Sequence, residues 1–218
     1  MGAGRTEVAR AIFGVTRLDR GVVRIDGKPV KIRSPRDAMR HGMALVPEDR
    51  QHLGLLMPQS IWRNAALATM AAGRLSRLGW VRDRAGRAAS DDSAKRLRVK
   101  CRGVGQPVRE LSGGNQQKVV LGKWLMTGPR VIIFDEPTRG IDVGAKAEVH
   151  RLISEVAAAG KAVLMISSEL PEVLAMSDRV LVMREGRINA ELSKRDATAE
   201  GVIAAATGQH KPVLERSA

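Results

Sequence analysis

The sequence predicts an α/β fold built around a mostly parallel core sheet. In the second half of the chain, short apolar stretches alternate with amphipathic ones, which is the pattern of parallel strands covered by helices on both faces. The 218 residues suit one domain that carries a small inserted subdomain. Hydrophobic residues make up 44% of the chain, enough for a sizeable core, so an intrinsically disordered chain is excluded.

The first quarter of the chain predicts a small N-terminal β region beside short helices. The expected elements are, in order, a helix at 6–13, strands at 21–27 and 29–32, a helix that starts at Ser34-Pro35 and a strand at 43–46. An Asp-Gly pair between the first two strands is typical of a tight hairpin turn. Proline suits the first turn of the second helix. It has no N–H, and an N–H at that position would have no partner within the helix.

A helical insert is predicted at about 58–110, where the chain becomes alanine-rich and basic. Beyond it, helices are expected at 115–126, 144–159 and 169–175, and strands at 131–134, 162–166, 179–183 and 187–192. We predict one domain over 1–208 and a flexible tail at 209–218.

The composition narrows the class of protein. The net charge is +14, with the basic excess concentrated at 74–109. A solvated helical surface is one interpretation, and contact with nucleic acid or anionic lipid headgroups is the alternative.

Aromatic residues make up 2% of the chain, which argues against a surface that stacks single-stranded bases. Cys101 is the single cysteine, so we expect neither a disulfide nor a zinc quartet, and a reducing compartment. A membrane span, which needs ~20 apolar residues, is not predicted.

Two carboxylates stand where an apolar strand is predicted to end. Asp135 and Glu136 directly follow the strand at 131–134, the position at which α/β sheets place ligands. Asp135 could hold Mg²⁺, a hard cation that takes oxygen ligands beside phosphates. Glu136 could polarise a water for attack on a phosphoryl group. The structural alternative is a pair that caps the following helix.

A second motif, at 111–117, opens a predicted helix. Ser112 is expected to cap that helix with its hydroxyl, and Gly113 and Gly114 let backbone N–H groups approach an anion closely. With the helix dipole, these groups form a phosphate-binding end. An ordinary serine cap on an amphipathic helix is the alternative.

In combination, these stretches resemble the ATP-binding domain of ABC transporters. Residues 111–117 match the signature loop, 133–138 the Walker B strand with its catalytic glutamate, and 140–142 the D-loop. The resemblance implies a P-loop NTPase-like fold that binds ATP and Mg²⁺, with Glu136 as the catalytic residue and Asp135 as a metal ligand. The nucleotide-binding residues that it implies in these loops are Ser112, Gly113, Gly114, Gln116 and Asp142.

The start of the chain resembles an incomplete P-loop, whose amides cradle phosphates and whose lysine reaches the terminal ones. Gly2, Gly4 and Thr6 match its last positions, and Thr6 could ligate Mg²⁺. Arg5 stands where the lysine belongs, and a guanidinium fork does not replace a compact ammonium in a tight loop. We expect the first glycine and the central P-loop strand to be missing from this chain.

Two further positions depart from the family pattern. Glu48 replaces the glutamine of the Q-loop, and Ser168 occupies the position of the switch histidine. The histidines of the chain lie elsewhere and are expected at the surface: His41, His52, His150 and His210. The chain's own P-loop site is therefore expected to be degenerate.

The motif set resembles more narrowly the second ATP-binding half of bacterial monosaccharide importers of the ribose, xylose and galactose type. The stretches that carry this resemblance are 2–7, 46–50, 111–118, 123–125, 136–144 and 167–172. It implies that the halves pair head to tail, so that this chain donates its signature loop in trans to the P-loop of a first half. It also implies permease subunits and, indirectly, a periplasmic sugar-binding protein as partners, at the cytoplasmic face of the bacterial inner membrane.

Two other functions stay open beside this one. The chain could be a catalytically silent remnant, since a sheet without its central strand buries less apolar surface. It could also be a soluble ABC ATPase that acts on nucleic acid or the ribosome, which the positive charge favours and the motif set opposes. A nucleic-acid partner is not expected.

Overall fold

The computed structural model of the chain describes residues 2–71 and 83–209, together with the backbone of 76–77 and 80–81. Its helices are α1 (Arg5–Ile12), α2 (Pro35–Arg40), α3 (Ile61–Ala71), α4 (Asp83–Arg96), α5 (Gly113–Leu125), α6 (Val143–Ala158), α7 (Leu170–Met176) and α8 (Ala199–Thr207). Its strands are β1 (Val23–Ile25), β2 (Lys28–Val30), β3 (Met43–Val46), β4 (Ser76–Arg77), β5 (Trp80–Val81), β6 (Val131–Asp135), β7 (Ala162–Ile166), β8 (Arg179–Arg184) and β9 (Arg187–Ser193). A π-helical turn lies at Arg50–Gly54 and a 3₁₀ turn at Val108–Glu110.

Three parallel strands form the central sheet, in the order β3-β6-β7. Successive residues of β6 face opposite sides of this sheet. Ile132 and Phe134 pack into a core with α5 and α6, whereas Ile133 packs with residues of α1 and α2 on the other face. Because both faces are covered, β6 is apolar without alternation. The predicted α/β fold with a parallel core sheet is confirmed.

Two antiparallel hairpins accompany the central sheet. The β1–β2 turn is formed by Asp26 and Gly27, with φ of 52° and 74°, and the β8–β9 turn by Glu185 and Gly186, with φ of 50° and 78°. Left-handed geometry at both central residues is the hairpin turn that matches the twist of its strands. Both turns fall where the sequence predicts them.

The predicted insert contains α3 and α4, and its start and end lie side by side. The Ile61 amide donates to Gln106, and the Val108 amide donates to Gln59. A short β4–β5 ladder lies between the two helices, where the sequence predicts helix only. From the basic segment at 74–109, Arg87 stacks on the Trp62 ring at 5.0 Å, while residues 74–75, 78–79 and 82 lie outside the described part of the chain.

Helix α8 is an element that the sequence reasoning missed, although ordinary signals mark both of its ends. The Thr198 hydroxyl accepts the Gly201 amide at 3.1 Å, and Gly208 ends the helix with φ of 85°. Of the predicted tail, residues 210–218 are outside the described residues. None of the described helices is long and apolar enough to cross a membrane.

Candidate nucleotide-binding site

The two predicted metal ligands are adjacent. Asp135 ends β6 in the centre of the sheet and is 3% exposed, and the Thr6 hydroxyl from the first turn of α1 donates to its Oδ1 at 3.1 Å. Burial raises the pKa of the Asp135 carboxyl, and the hydrogen bond from Thr6 opposes that rise. A carboxylate beside a hydroxyl at a helix N-terminus supplies oxygen ligands that fit Mg²⁺ accompanied by phosphates.

The glycine-rich segment that precedes α1 lies against the β8–β9 turn. The Gly186 amide donates to the Ala3 carbonyl at 3.2 Å. Gly4 has a φ of 90°, and a Cβ there would lie 3.3 Å from the Gly186 Cα. Gly2 is exposed. The predicted phosphate-binding segment is therefore held at the start of α1, on the same side of the sheet as Asp135.

Both carboxylate oxygens of Glu136 are engaged by side chains of the same chain. Oε1 pairs with the Arg5 Nη2 at 3.7 Å, and Oε2 accepts the Ser168 hydroxyl at 3.0 Å. The side chain is 11% exposed, and its backbone is left-handed with φ of 47°. We call Arg5, Thr6, Asp135, Glu136 and Ser168 the P-loop cluster. In this cluster, the predicted general base is tied to a cation and a hydroxyl of its own chain.

Ser112 occupies the N-cap position of α5, but its hydroxyl does not cap the helix. It accepts instead the side-chain amide of Asn115 at 2.9 Å, and the serine is exposed. The predicted hydroxyl cap is wrong because the Asn115 side chain, one turn further along, takes the place of the backbone amide. The hydroxyl consequently faces outward, where a partner could reach it.

The two glycines that follow Ser112 are required by close approach of neighbours. A Cβ on Gly113 would lie 2.8 Å from the Arg50 Nη2, and one on Gly114 would lie 2.5 Å from the Ala145 Cβ. Gly113 therefore lies directly against Arg50 and Gly114 directly against the first turn of α6, and neither position has room for a Cβ.

Exchanging Gly114 for alanine is expected to lower the free energy of unfolding by about 1–3 kcal/mol, because α5 and α6 must move apart to admit the methyl group. The matched change Gly144→Ala should raise it, by at most about 1 kcal/mol, since a Cβ there would lie 3.5 Å from the Asp142 Oδ1 in an ordinary helical position. Denaturant titrations of both variants check this, and shifts in the same direction would contradict it.

The other two residues implied for these loops support them. Gln116 is buried, donates to the Leu111 carbonyl at 3.1 Å and accepts the Gln51 side chain at 3.4 Å. Asp142 is exposed and caps α6 by accepting the Ala145 amide at 2.9 Å. A role of either residue in nucleotide binding stays a prediction.

A contact that sequence reasoning missed joins the Glu48 region to the D-loop. Glu48 forms an ion pair with Arg139, and Arg50 donates to two backbone carbonyls, those of Arg139 and Gly140, each at 2.9 Å. Arg50 belongs to the run at 46–50, which carries part of the family resemblance. That resemblance gives Arg50 no role, so the contact was not predicted.

The expectation for the histidines holds at the exposed His52 and is wrong at His41 and His150, which are both half-buried, while His210 lies outside the described residues. The His150 side chain is 28% exposed, and its Nε2 lies 2.6 Å from the Glu172 Oε1. The same oxygen of the buried Glu172 accepts the Thr138 hydroxyl at 3.0 Å. His150 thus joins α6 to α7 beneath the turn that follows Glu136.

The chain is similar to known sequences over most of its length. The family model described as ABC transporter matches residues 1–139. The chain is 60% identical over 213 residues to the ribose import ATP-binding protein RbsA 1 of Streptomyces coelicolor, covering 96% of this chain and 41% of that protein. It is 52% identical to a putative ribose/galactose/methyl galactoside import ATP-binding protein of Burkholderia lata, covering 98% of this chain and 42% of that protein. The chain therefore spans about two fifths of the length of these curated relatives.

Solved structures show the same fold at lower sequence identity. An ATP-binding cassette of an ABC transporter in its ADP conformation matches with a TM-score of 0.77 and 23% identity, over 94% of this chain and 84% of that one. A component of an ABC transporter complex from Clostridium perfringens matches with a TM-score of 0.72 and 22% identity, over 92% and 77%. The fold is that of an ATP-binding cassette.

Proposed function

The chain belongs to the ABC transporter family, and from this premise we propose that it is an ATP-binding, energy-coupling component of a bacterial importer for ribose or a related monosaccharide. The printed names of relatives at 50–60% identity support the substrate class, since they are ribose and ribose/galactose/methyl galactoside import proteins. In this function, ATP hydrolysis at the cytoplasmic face of the inner membrane drives transport through permease subunits, to which a periplasmic binding protein brings the sugar.

Within this function, the chain contributes chiefly its signature loop, in trans, to the P-loop of a first ATP-binding half. Support comes from the outward-facing Ser112 hydroxyl and from the bare first turn of α5 at Gly113 and Gly114. Backbone N–H groups at a helix N-terminus bind phosphate well, because the helix dipole adds to their hydrogen bonds. A phosphate presented by a second half would meet these groups without displacing a side chain.

The observation that carries the proposal is the state of Glu136 in the P-loop cluster. A general base must direct a lone pair at a water, and this carboxylate is oriented by its own chain instead: one oxygen accepts the Ser168 hydroxyl at 3.0 Å and the other lies 3.7 Å from the Arg5 Nη2. Arg5 also places a bulky planar cation where a lysine would reach phosphates. The chain's own site is therefore the weaker of the two sites in the assembled pair.

ATP and Mg²⁺ are the cofactors of this function. Asp135 and Thr6 are the residues that would hold the metal, which neutralises charge on the transferred phosphoryl group when bound. At the weak site, Gly2, Gly4 and the first amides of α1 would bind phosphate. At the strong site, Ser112, Gly113 and Gly114 would bind it from across the interface.

ATP turnover by the chain alone, by a separately produced first half of a ribose importer, and by their mixture tests the proposal. We expect background turnover from this chain, and a mixture rate at least about tenfold above the sum of the two, since a single transition-state donor contributes about 10²–10³-fold. Turnover by the chain alone at the rate of the mixture would overturn the assignment of a weak site. A mixture that stays at the sum of the two would overturn donation in trans and favour a silent remnant.

A further inference from the structure

We infer that Arg50 is a positioning residue that locks the 48–54 segment to the turn at 139–140 and thereby sets the placement of Gly113. The inference rests on the proposed function, because the step that it affects is turnover by the assembled pair of halves. Arg50 reaches across the fold to a part of the chain 89–90 residues away, so its contacts are tertiary ones.

The guanidinium of Arg50 donates hydrogen bonds to two consecutive backbone carbonyls. Nη1 donates to Arg139 and Nη2 to Gly140, both at 2.9 Å. Two parallel bonds from a rigid planar fork fix the orientation of the turn as well as its position. Gly140 is left-handed, with φ of 66°, a conformation that favours glycine at this turn.

Both terminal nitrogens of the Arg50 guanidinium are committed to this contact. Its Nε is buried and has no hydrogen-bond partner among the described residues, and within that same part of the chain no carboxylate forms an ion pair with it. A buried donor without a partner is rare and unfavourable in native proteins. Its presence here indicates that the fork is held in place by the two carbonyls in spite of this cost.

The contact is reciprocal. While Arg50 holds the backbone of Arg139, the side chain of Arg139 pairs with Glu48, two residues before Arg50. We call Glu48, Arg50, Arg139 and Gly140 the arginine clasp. The backbone on either side of Arg50 is itself fixed, because the Asp49 carboxylate accepts the amides of Gln51 and His52 at 3.0 Å each.

The clasp extends to the signature loop from the same segment. Arg50 Nη2 fills the space in which a Cβ of Gly113 would stand, at 2.8 Å, and a Cβ there would also lie 3.4 Å from the Gly140 carbonyl oxygen. The neighbouring Gln51 side chain donates to Gln116 at 3.4 Å. The guanidinium therefore lies between the turn at 139–140 and the start of α5, touching both.

This arrangement makes the signature loop follow the 48–54 segment. A displacement of that segment would move Arg50, and with it the two carbonyls and Gly113. In the proposed function, the amide of Gly113 faces a phosphate. Displacements of about 1 Å in a reacting geometry reduce turnover by up to about 100-fold. Because Arg50 acts through Gly113, its loss should reduce kcat and leave the KM for ATP nearly unchanged.

The test compares Arg50→Gln, Arg50→Lys and the control Arg40→Gln, which alters an exposed arginine that pairs with Asp37 in its own helix. In the mixture with a first half, we expect Arg50→Gln to lower kcat about 10–100-fold with KM within about threefold. Arg50→Lys should recover part of that loss, because one ammonium can hold one carbonyl but does not span two. Arg40→Gln should match the unmodified chain.

A second readout needs no ATP: amide hydrogen exchange over 136–146 in the chain alone. Faster exchange there in Arg50→Gln, and less so in Arg50→Lys, supports the clasp. If exchange rises as expected while the unmodified mixture shows no turnover, the proposed function fails and the clasp stands. Unchanged exchange with unchanged kcat overturns the inference. So does loss of the fold in both Arg50 variants, which would make the residue a purely structural one.

Discussion

Ser112→Arg is expected to lower ATP turnover by the mixture of this chain with a first half by about 100-fold or more. The serine is exposed and accepts the Asn115 side chain, so an arginine fits without disturbing the fold. In the proposed assembly, however, it would place a long cation between the bare start of α5 and the partner's P-loop. Removal of a single donor from a transition-state site costs about 10²–10³ in kcat, and a steric block at that site should cost at least as much.

The matched control is Ser154→Arg, on the exposed side of α6. It introduces the same cation away from the signature loop and should leave turnover within about twofold of the unmodified mixture, as surface substitutions generally do. Steady-state rates of the three mixtures, with unfolding midpoints of the isolated chains, make the comparison. Equal rates for Ser112→Arg and Ser154→Arg would show that the signature loop is not at the working interface.

The free energy of unfolding should rise as the pH is raised from about 8 to about 10.5, because of Lys123. Burial lowers the pKa of this lysine to about 8, and its ammonium has the Gly54 carbonyl at 2.6 Å as an acceptor. In the unfolded chain the pKa returns to 10.5. Between these values the unfolded state binds more protons than the folded one, so stability increases with pH, by about 1–3 kcal/mol in all.

The Lys123→Met variant separates this lysine from the other titrating groups. A methionine fills the same space without a charge, so the stability difference between the variant and the unmodified chain should shrink as the pH passes from 8 to 10.5. Below pH 8 the variant should be the more stable of the two, because it has no buried ammonium to desolvate. Denaturant titrations at pH 7, 8, 9 and 10 check this, and parallel pH profiles would contradict it.

The sequence is sufficient to predict the central sheet because its strands are apolar runs without alternation. The runs 131–134 and Ala162–Ile166 are apolar throughout and are separated by one amphipathic helix, α6, so little but a parallel βαβ arrangement accommodates them. The same argument locates Asp135 and Glu136. They stand at the end of a buried parallel strand, and ligands bind at the carboxyl ends of the strands in such sheets.

The sequence could not predict which side chains form hydrogen bonds with each other when several donors or acceptors compete, or when the partner is distant in sequence. The cap rule anticipates that Ser112 will accept a backbone amide, but it cannot foresee competition from Asn115. Helical periodicity places His150 on α6, while its partial burial follows from Glu172, contributed by another helix. Arg50 has no local pattern at all, because its acceptors are carbonyls, which every residue possesses.

The left-handed backbone of Glu136 limits how that position can change over evolutionary time. A non-glycine residue in this conformation carries about 1–2 kcal/mol of strain, so drift towards glycine would stabilise the fold and delete the carboxylate in one step. The bonds from Arg5 and Ser168 offset that strain, and they exist only while the carboxylate does. The Glu136 carboxylate thus has a structural role of its own, as the group that holds Arg5 and Ser168 together.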